Sequence, residues 1–291
     1  WRRNRMGSTN KEQEIDYCVN RYDLPKSPRA RRLTESEKTQ YEKWGYVKNL
    51  PVFDQDTIPV LQEYFNEMVE LMPLGLPITR FIEFDQINHF LIHDQKKYDV
   101  TGWHKANRKI YDLCHTPAIL DYVEDILGPN FFLWGSHCFA KFPHDGTEVP
   151  WHQDAQYYPL QPLKTVSAWL ALFDTDEENA AMQIVRGSHK LDINKHKKID
   201  LDVIKPEEVV TLDLKAGEIS LHDVGIIHGS GPNNSDRIRA GLVMRYSSTE
   251  VKCDLNRWPA FGIYLVRGVD DYQHNPVAKV PRGNGCPYRL L

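Results

Sequence analysis

The chain has 291 residues, 41% hydrophobic and 26% charged, ordinary values for a globular protein able to bury a substantial core. Its net charge of -4 leaves no basic excess to neutralise a phosphate backbone, which argues against nucleic acid as a partner. The 5 cysteines form no CxxC pair, which fits a reducing cytoplasm, and no run approaches the roughly 18 apolar residues of a membrane span, so no membrane partner is expected.

Residues 1–30 are polar and broken by prolines, and read as an N-terminal arm or tail. A single domain is expected over 31–291, with a helical part over 31–130, a β core over 131–250 and a C-terminal extension over 251–291. Thr34 and Glu37 form a capping box that predicts a helix from about residue 35 to 43. Asp56 and Pro59 precede a second helix, whose apolar stripe is Leu61, Tyr64, Phe65, Met68 and Met72. His89, His93 and His104 fall in the segment between helices and read as solvated loop. In HTPAILDYVEDILGPN, Thr116 caps a third helix, Pro117 opens it, Ile119, Leu120, Val123 and Leu127 face inward, and Gly128-Pro129 ends it.

After Asn130 the hydrophobic period shortens to two. FFLWGSHCFAKF, KTVSAWLALF, MQIV, EVVTLDL, GEISLHD and RIRAGLVMRY are short runs rich in β-branched and aromatic residues, separated by turn residues. Strands that follow helices, rather than alternating with them, point to an antiparallel sandwich or barrel. The class is mainly β with flanking helices.

The chemistry starts at His152-Gln153-Asp154. Among 12 His, roughly one HxD is expected by chance, so the match gains weight only from its surroundings. On an extended strand, residues i and i+2 share a face, and a third ligand is needed. His228, ahead of a Gly-Ser-Gly-Pro turn, is the candidate; His222 reads as a strand residue with a hydrogen-bonded ring. Two imidazoles and one carboxylate suit non-haem Fe(II) and leave positions open for a bidentate 2-oxoacid and dioxygen. A diacid needs a cation at its far end. Alternation puts Arg237, Arg239, Gly241, Val243 and Arg245 on one face, and Arg239 is the favoured clamp.

WHQD followed by Tyr and Pro, a Trp on the next strand, a GSHK turn, KAGE, then HGSGPNNS and an Arg together resemble the phytanoyl-CoA dioxygenase (PhyH) family of Fe(II)- and 2-oxoglutarate-dependent oxygenases. The resemblance implies a double-stranded β-helix, the cupin-like jelly roll. It puts the metal on His152, Asp154 and His228, the 2-oxoglutarate carboxylate on Arg239 and Ser230, and an aromatic wall of that pocket at Trp169. Arg186 stands where relatives have Pro before Gly-Ser-His, so the turn is expected to differ locally. Related halogenases carry Ala or Gly at the carboxylate position; Asp154 therefore argues for oxygenation.

The implied activity is hydroxylation of an unactivated carbon of a small-molecule metabolite, with O2 as cosubstrate and succinate and CO2 released. Two rivals are a cupin-type metalloenzyme that does not use 2-oxoglutarate and a non-catalytic small-molecule-binding barrel. Candidates for substrate contact are Gln156 and Tyr158, by parity with the HxD pair; His137 and Lys141, which share a face of their strand with Phe139; and Arg245, toward an anionic group.

Overall fold

The Thr34 hydroxyl accepts from the Glu37 amide while the Glu37 carboxylate accepts from the Thr34 amide, so the capping box is closed and helix α1 runs Glu35–Trp44 in the computed structural model. The structure describes residues 31–71, 102–193, 199, 202 and 204–286. Gly45 ends α1 at φ 80°, where a side chain would also strike His189. The chain turns there into strand β1 (Tyr46–Pro51), which the sequence reading did not predict.

Helix α2 (Ile58–Leu71) buries Leu61, Tyr64, Phe65 and Met68 as its stripe requires; Met72 lies outside the described residues. Two short helices, α3 (Trp103–Ala106) and α4 (Arg108–Leu113), occupy part of the segment read as loop. His104 is correspondingly not solvated: it is fully buried, with Nδ1 2.8 Å from Ser136 Oγ, whereas His89 and His93 fall outside the described residues. Helix α5 (Pro117–Leu127) opens on Pro117 and buries Ile119, Leu120 and Val123. Its Thr116 hydroxyl donates back to the Leu113 carbonyl, 2.8 Å away, instead of capping α5.

The remaining strands are β2 (Phe131–Lys141), β3 (Val149–Gln153), β4 (Leu160–Gln161), β5 (Thr165–Ala171), β6 (Gln183–Val185), β7 (Val209–Thr211), β8 (Glu218–Asp223), β9 (Ile227–Ser230), β10 (Arg239–Ser248), β11 (Lys252–Cys253) and β12 (Tyr264–Arg267). They form a six-stranded sheet in the order β1-β8-β5-β10-β2-β12 and a four-stranded sheet in the order β3-β9-β6-β7, with every pairing antiparallel. A two-stranded ribbon of β4 and β11 ties the C-terminal extension to the body. This is the mostly β, cupin-like double-stranded β-helix that the sequence leads one to expect.

Alternation along β10 divides the six-stranded sheet into two faces. Ala240, Leu242, Met244 and Tyr246 join the main core with Leu61, Phe65 and Met68 of α2 and Ile119 and Val123 of α5. Each such Leu, Ile, Val, Phe or Met side chain contributes about 1.5–3 kcal/mol by leaving water, which holds the helices to this face. The opposite face, carrying Arg239, Gly241, Val243 and Arg245, turns toward the four-stranded sheet, and a cavity lies between them. Arg186 donates its amide to the Glu208 carbonyl at 2.9 Å, a bond that Pro cannot make, and lays its guanidinium 5.1 Å from the Trp44 ring. Among the described residues, no helix is long and apolar enough to cross a membrane.

Candidate metal centre

Strands β3 and β9 pair with His152 directly opposite His228, which brings the ring centroids to 4.1 Å. The strands can approach this closely because residue 229 is Gly: a Cβ there would lie 2.8 Å from the Val149 carbonyl oxygen. Each imidazole donates from Nδ1 to a backbone carbonyl two residues earlier, His152 to Pro150 at 2.8 Å and His228 to Ile226 at 3.0 Å. Those bonds fix the tautomer and leave both Nε2 lone pairs for a metal.

Asp154 reaches the site differently from what the strand parity predicts. β3 ends at Gln153, and Asp154–Gln156 is a turn of 3-10 helix, held by the Ala155 amide to Val224 O at 2.9 Å and the Gln153 side chain to Gly225 O at 2.7 Å. The turn swings one carboxylate oxygen, Oδ1, to 3.5 Å from His152 Nε2 and 4.0 Å from His228 Nε2. One ligand atom from each of the three residues lies within 4.8 Å of the others, and all three residues are buried. Two imidazoles and a carboxylate gathered on one side of a cavity fit iron(II).

The other Asp154 oxygen, Oδ2, accepts from Tyr158 Oη at 2.7 Å and from Arg245 Nη2 at 3.3 Å. Burial opposes charge on this carboxylate, yet the Arg245 guanidinium outweighs it and holds the group well below its ordinary range. Burial first, and His152 second, push His228 down to about 3, so the imidazole is neutral and able to ligate. His222 also lines the cavity, its ring 5.4 Å from that of His228, but it is not part of the ligand cluster; burial lowers it to about 4, and its Nδ1 has no partner among the described residues.

The cavity and the open space at its mouth together amount to roughly 440 Å³. Arg239 is buried in its wall, with Cζ 4.7 Å from the centre of the Trp169 ring, and burial pushes it down to about 10. The ring fits because residue 241 is Gly: a Cβ there would sit 2.1 Å from Trp169 Cζ2. Arg239 Nε and Ser230 Oγ are buried and unpartnered among the described residues, and both residues line the cavity. Unsatisfied buried donors of this kind mark a place for an acceptor, which suits the carboxylate of 2-oxoglutarate. Arg237, an alternative clamp by sequence, is instead bonded at the surface to Asp176 and Glu178.

The remaining candidates separate clearly. Arg245 lines the cavity; Gln156, Tyr158, His137 and Lys141 are not among its lining residues. Tyr158 spends its hydroxyl on Asp154, and Gln156 bonds the Tyr157 hydroxyl. His137 stacks on Phe139, a lining residue, with ring centroids 4.2 Å apart. Lys141 donates to the carbonyls of Thr147, Ser230 and Gly231; burial, and then the charge of Arg239, lower it to about 8. Val149 and Met182 also line the cavity, and no sequence signal distinguished them from core residues.

The family model described as phytanoyl-CoA dioxygenase (PhyH) matches residues 41–241. A probable alpha-ketoglutarate-dependent hypophosphite dioxygenase of Stutzerimonas stutzeri is 30% identical over 240 residues, covering 78% of this chain and 80% of that protein. The peroxisomal phytanoyl-CoA dioxygenase of Bos taurus is 26% identical over 238 residues, covering 74% and 68%. Among solved structures, the non-heme monooxygenase ThoJ in its apo form superposes with a TM-score of 0.67 at 23% identity over 85% of this chain and 89% of that one, a likeness of fold.

Proposed function

The chain belongs to the phytanoyl-CoA dioxygenase family, and from that premise we propose that it is an Fe(II)- and 2-oxoglutarate-dependent dioxygenase that hydroxylates an unactivated carbon of a small-molecule metabolite, releasing succinate and CO2. The observation that carries this reading is the convergence of His152, Asp154 and His228 on one point of a cavity that also holds a buried Arg239 with an unpartnered Nε.

Iron(II) bound at the triad supplies the redox chemistry: one oxygen atom of O2 enters succinate as 2-oxoglutarate loses CO2, and the other enters the substrate. The protein supplies geometry. His152 and His228 offer Nε2 because their Nδ1 atoms are occupied by Pro150 and Ile226. Tyr158 and Arg245 hold the Asp154 carboxylate at Oδ2 and so keep Oδ1 turned to the imidazoles. Arg239 and Ser230 take the distal carboxylate of 2-oxoglutarate, and Trp169 walls its carbon chain. Phe139, Val149, Met182 and Val243 surround the site with apolar surface that excludes water and side reactions. No protein side chain needs to act as a general base.

The relatives differ in substrate: one is named for hypophosphite, another for phytanoyl-CoA. We assign a small-molecule substrate to this chain, and a cytoplasmic setting is supported by Cys114, Cys138 and Cys253, all free and buried. Incubation of the Fe(II) protein with 2-oxoglutarate in air tests the reading without knowledge of the substrate. Slow succinate formation that requires both iron and O2, and is abolished by Asp154→Ala, is the expected outcome. Iron-loaded wild type that forms no succinate in long incubations, with and without a panel of small metabolites, contradicts it.

A further inference from the structure

Arg239 accounts for one cation in the cavity wall. A second, Arg245, is equally buried, lines the same cavity, and has Nε and Nη1 unpartnered among the described residues. It does not stand alone. Strand register sets Arg245 of β10 opposite Ser167 of β5, and Ser167 opposite His222 of β8, so the three residues form one row across the six-stranded sheet. Ser167 Oγ and His222 Nδ1 are also buried without a partner, which gives four unsatisfied polar atoms in a single row. Buried polar groups ordinarily find partners, and four adjacent exceptions point to a ligand.

The row is rigid. The third nitrogen of Arg245, Nη2, is 3.3 Å from Asp154 Oδ2, its guanidinium carbon lies 5.6 Å from the centre of the Tyr158 ring, and its aliphatic stem runs beside Gly135, where a Cβ would come within 3.4 Å. Arg239 and Arg245 are six residues apart on one strand, roughly 20 Å between Cα atoms, so one carboxylate cannot serve both. Charge gives the same answer. Among the described residues, the charged groups lining the cavity are Asp154, Arg239 and Arg245. A divalent metal and a dianionic cosubstrate added to these leave one positive charge in a site with low-dielectric walls, which favours a monoanion.

We propose that Arg245, with Ser167 and His222 beside it, forms a substrate subsite for a monoanionic oxyanion group, a carboxylate or a phosphinate, on the molecule to be oxidised. The inference rests on the oxygenase reading above and assigns the class of substrate to it. A fixed guanidinium offers two parallel N–H donors to two anionic oxygens, and the neighbouring hydroxyl and imidazole complete the recognition.

Zn(II) in place of iron permits a binding test without turnover. Calorimetry first measures 2-oxoglutarate on the Zn(II) protein, then acetate, hypophosphite and the neutral acetamide on the Zn(II)·2-oxoglutarate complex. Wild type is expected to bind at least one anion about tenfold more tightly than acetamide. Preference for acetate or for hypophosphite identifies the oxyanion as carboxylate or phosphinate. Arg245→Gln, compared with wild type at matched Zn(II) content because Arg245 also holds Asp154 Oδ2, is expected to erase that preference, and Arg245→Lys to restore part of it. Ser167→Ala, which changes no charge, should weaken the anion about threefold, and with Arg245→Lys it carries the test if circular dichroism shows that Arg245→Gln does not fold. Equal binding of acetate, hypophosphite and acetamide by wild type overturns the subsite, leaving a row that holds water. Parallel loss of 2-oxoglutarate and anion in Arg245→Gln that still carries a full complement of Zn(II) overturns it too, because Arg245 would then clamp the cosubstrate. Failure of wild type to bind 2-oxoglutarate at all would instead strike the oxygenase reading itself.

Discussion

Asp154 divides its two carboxylate oxygens between two tasks: Oδ1 faces the imidazoles of His152 and His228, and Oδ2 is held by Tyr158 and Arg245. In the proposed function the Tyr158 hydroxyl is thus a positioning group for a metal ligand. Tyr158→Phe keeps the ring packing against Trp134 and Trp258 and removes only the 2.7 Å bond, so iron affinity should fall by about tenfold with the fold intact. Competition with a metal chelator measures it, and unchanged affinity would remove Tyr158 from that role. Gly241 is constrained as tightly by its neighbour Trp169, which a Cβ would approach to 2.1 Å. Gly241→Ala should therefore displace the ring, cost about 1–3 kcal/mol in urea unfolding, and weaken 2-oxoglutarate binding. That His152, Asp154 and His228 gather in one cavity with Arg239 was legible because HxD, HGSG and the downstream Arg occur in order. The Tyr158 bond was not, because extended-strand parity fails where β3 gives way to a 3-10 turn at Asp154.

At the scale of elements, the clearest signals were caps and periodic stripes. The α1 box is reinforced by Arg31, whose guanidinium meets both Glu37 carboxylate oxygens at 2.7 and 2.9 Å. That hydrogen bond, working against partial burial and with help from Thr34, lowers Glu37 to about 2. A carboxyl depressed in the folded state stabilises it fully above the unfolded value near 4.5 and loses that contribution as pH falls toward about 2. Glu37→Gln should cost about 1 kcal/mol at pH 7, a figure kept modest because the pair is partly solvated, and the difference from wild type should narrow below pH 4.5. Urea titrations at pH 7 and at pH 3 check it; a gap that does not shrink at the lower pH rules out the ion pair as its source. Elements that escaped prediction lack such local marks. β1 is an edge strand with the polar Lys48 and Asn49 in its middle, defined by pairing with β8 far along the chain. α3 is four residues long, and His104 within it is buried through Ser136, another distant partner.

For the molecule as a whole, the two sheets divide the labour. One face of the six-stranded sheet is sealed by α2 and α5, and its other face meets the four-stranded sheet around the cavity. Strands β3 and β9 deliver the two imidazoles, while β10 delivers both buried arginines from the opposite wall. Alternation along β10 revealed from sequence which arginines share a face, but not that Arg237 would be bound at the surface by Asp176 and Glu178 and so drop out as a clamp. In the proposed function, iron(II) at His152, Asp154 and His228 chelates 2-oxoglutarate whose far carboxylate lies on Arg239. Anaerobic titration of the Fe(II) protein with 2-oxoglutarate tests this directly through the visible metal-to-ligand charge-transfer band of the chelate. Wild type is expected to develop the band, Arg239→Ala to develop it only at about tenfold or higher 2-oxoglutarate, and Asp154→Ala, with its iron affinity lost, not to develop it. Wild-type protein that retains iron and shows no band at saturating 2-oxoglutarate would contradict it.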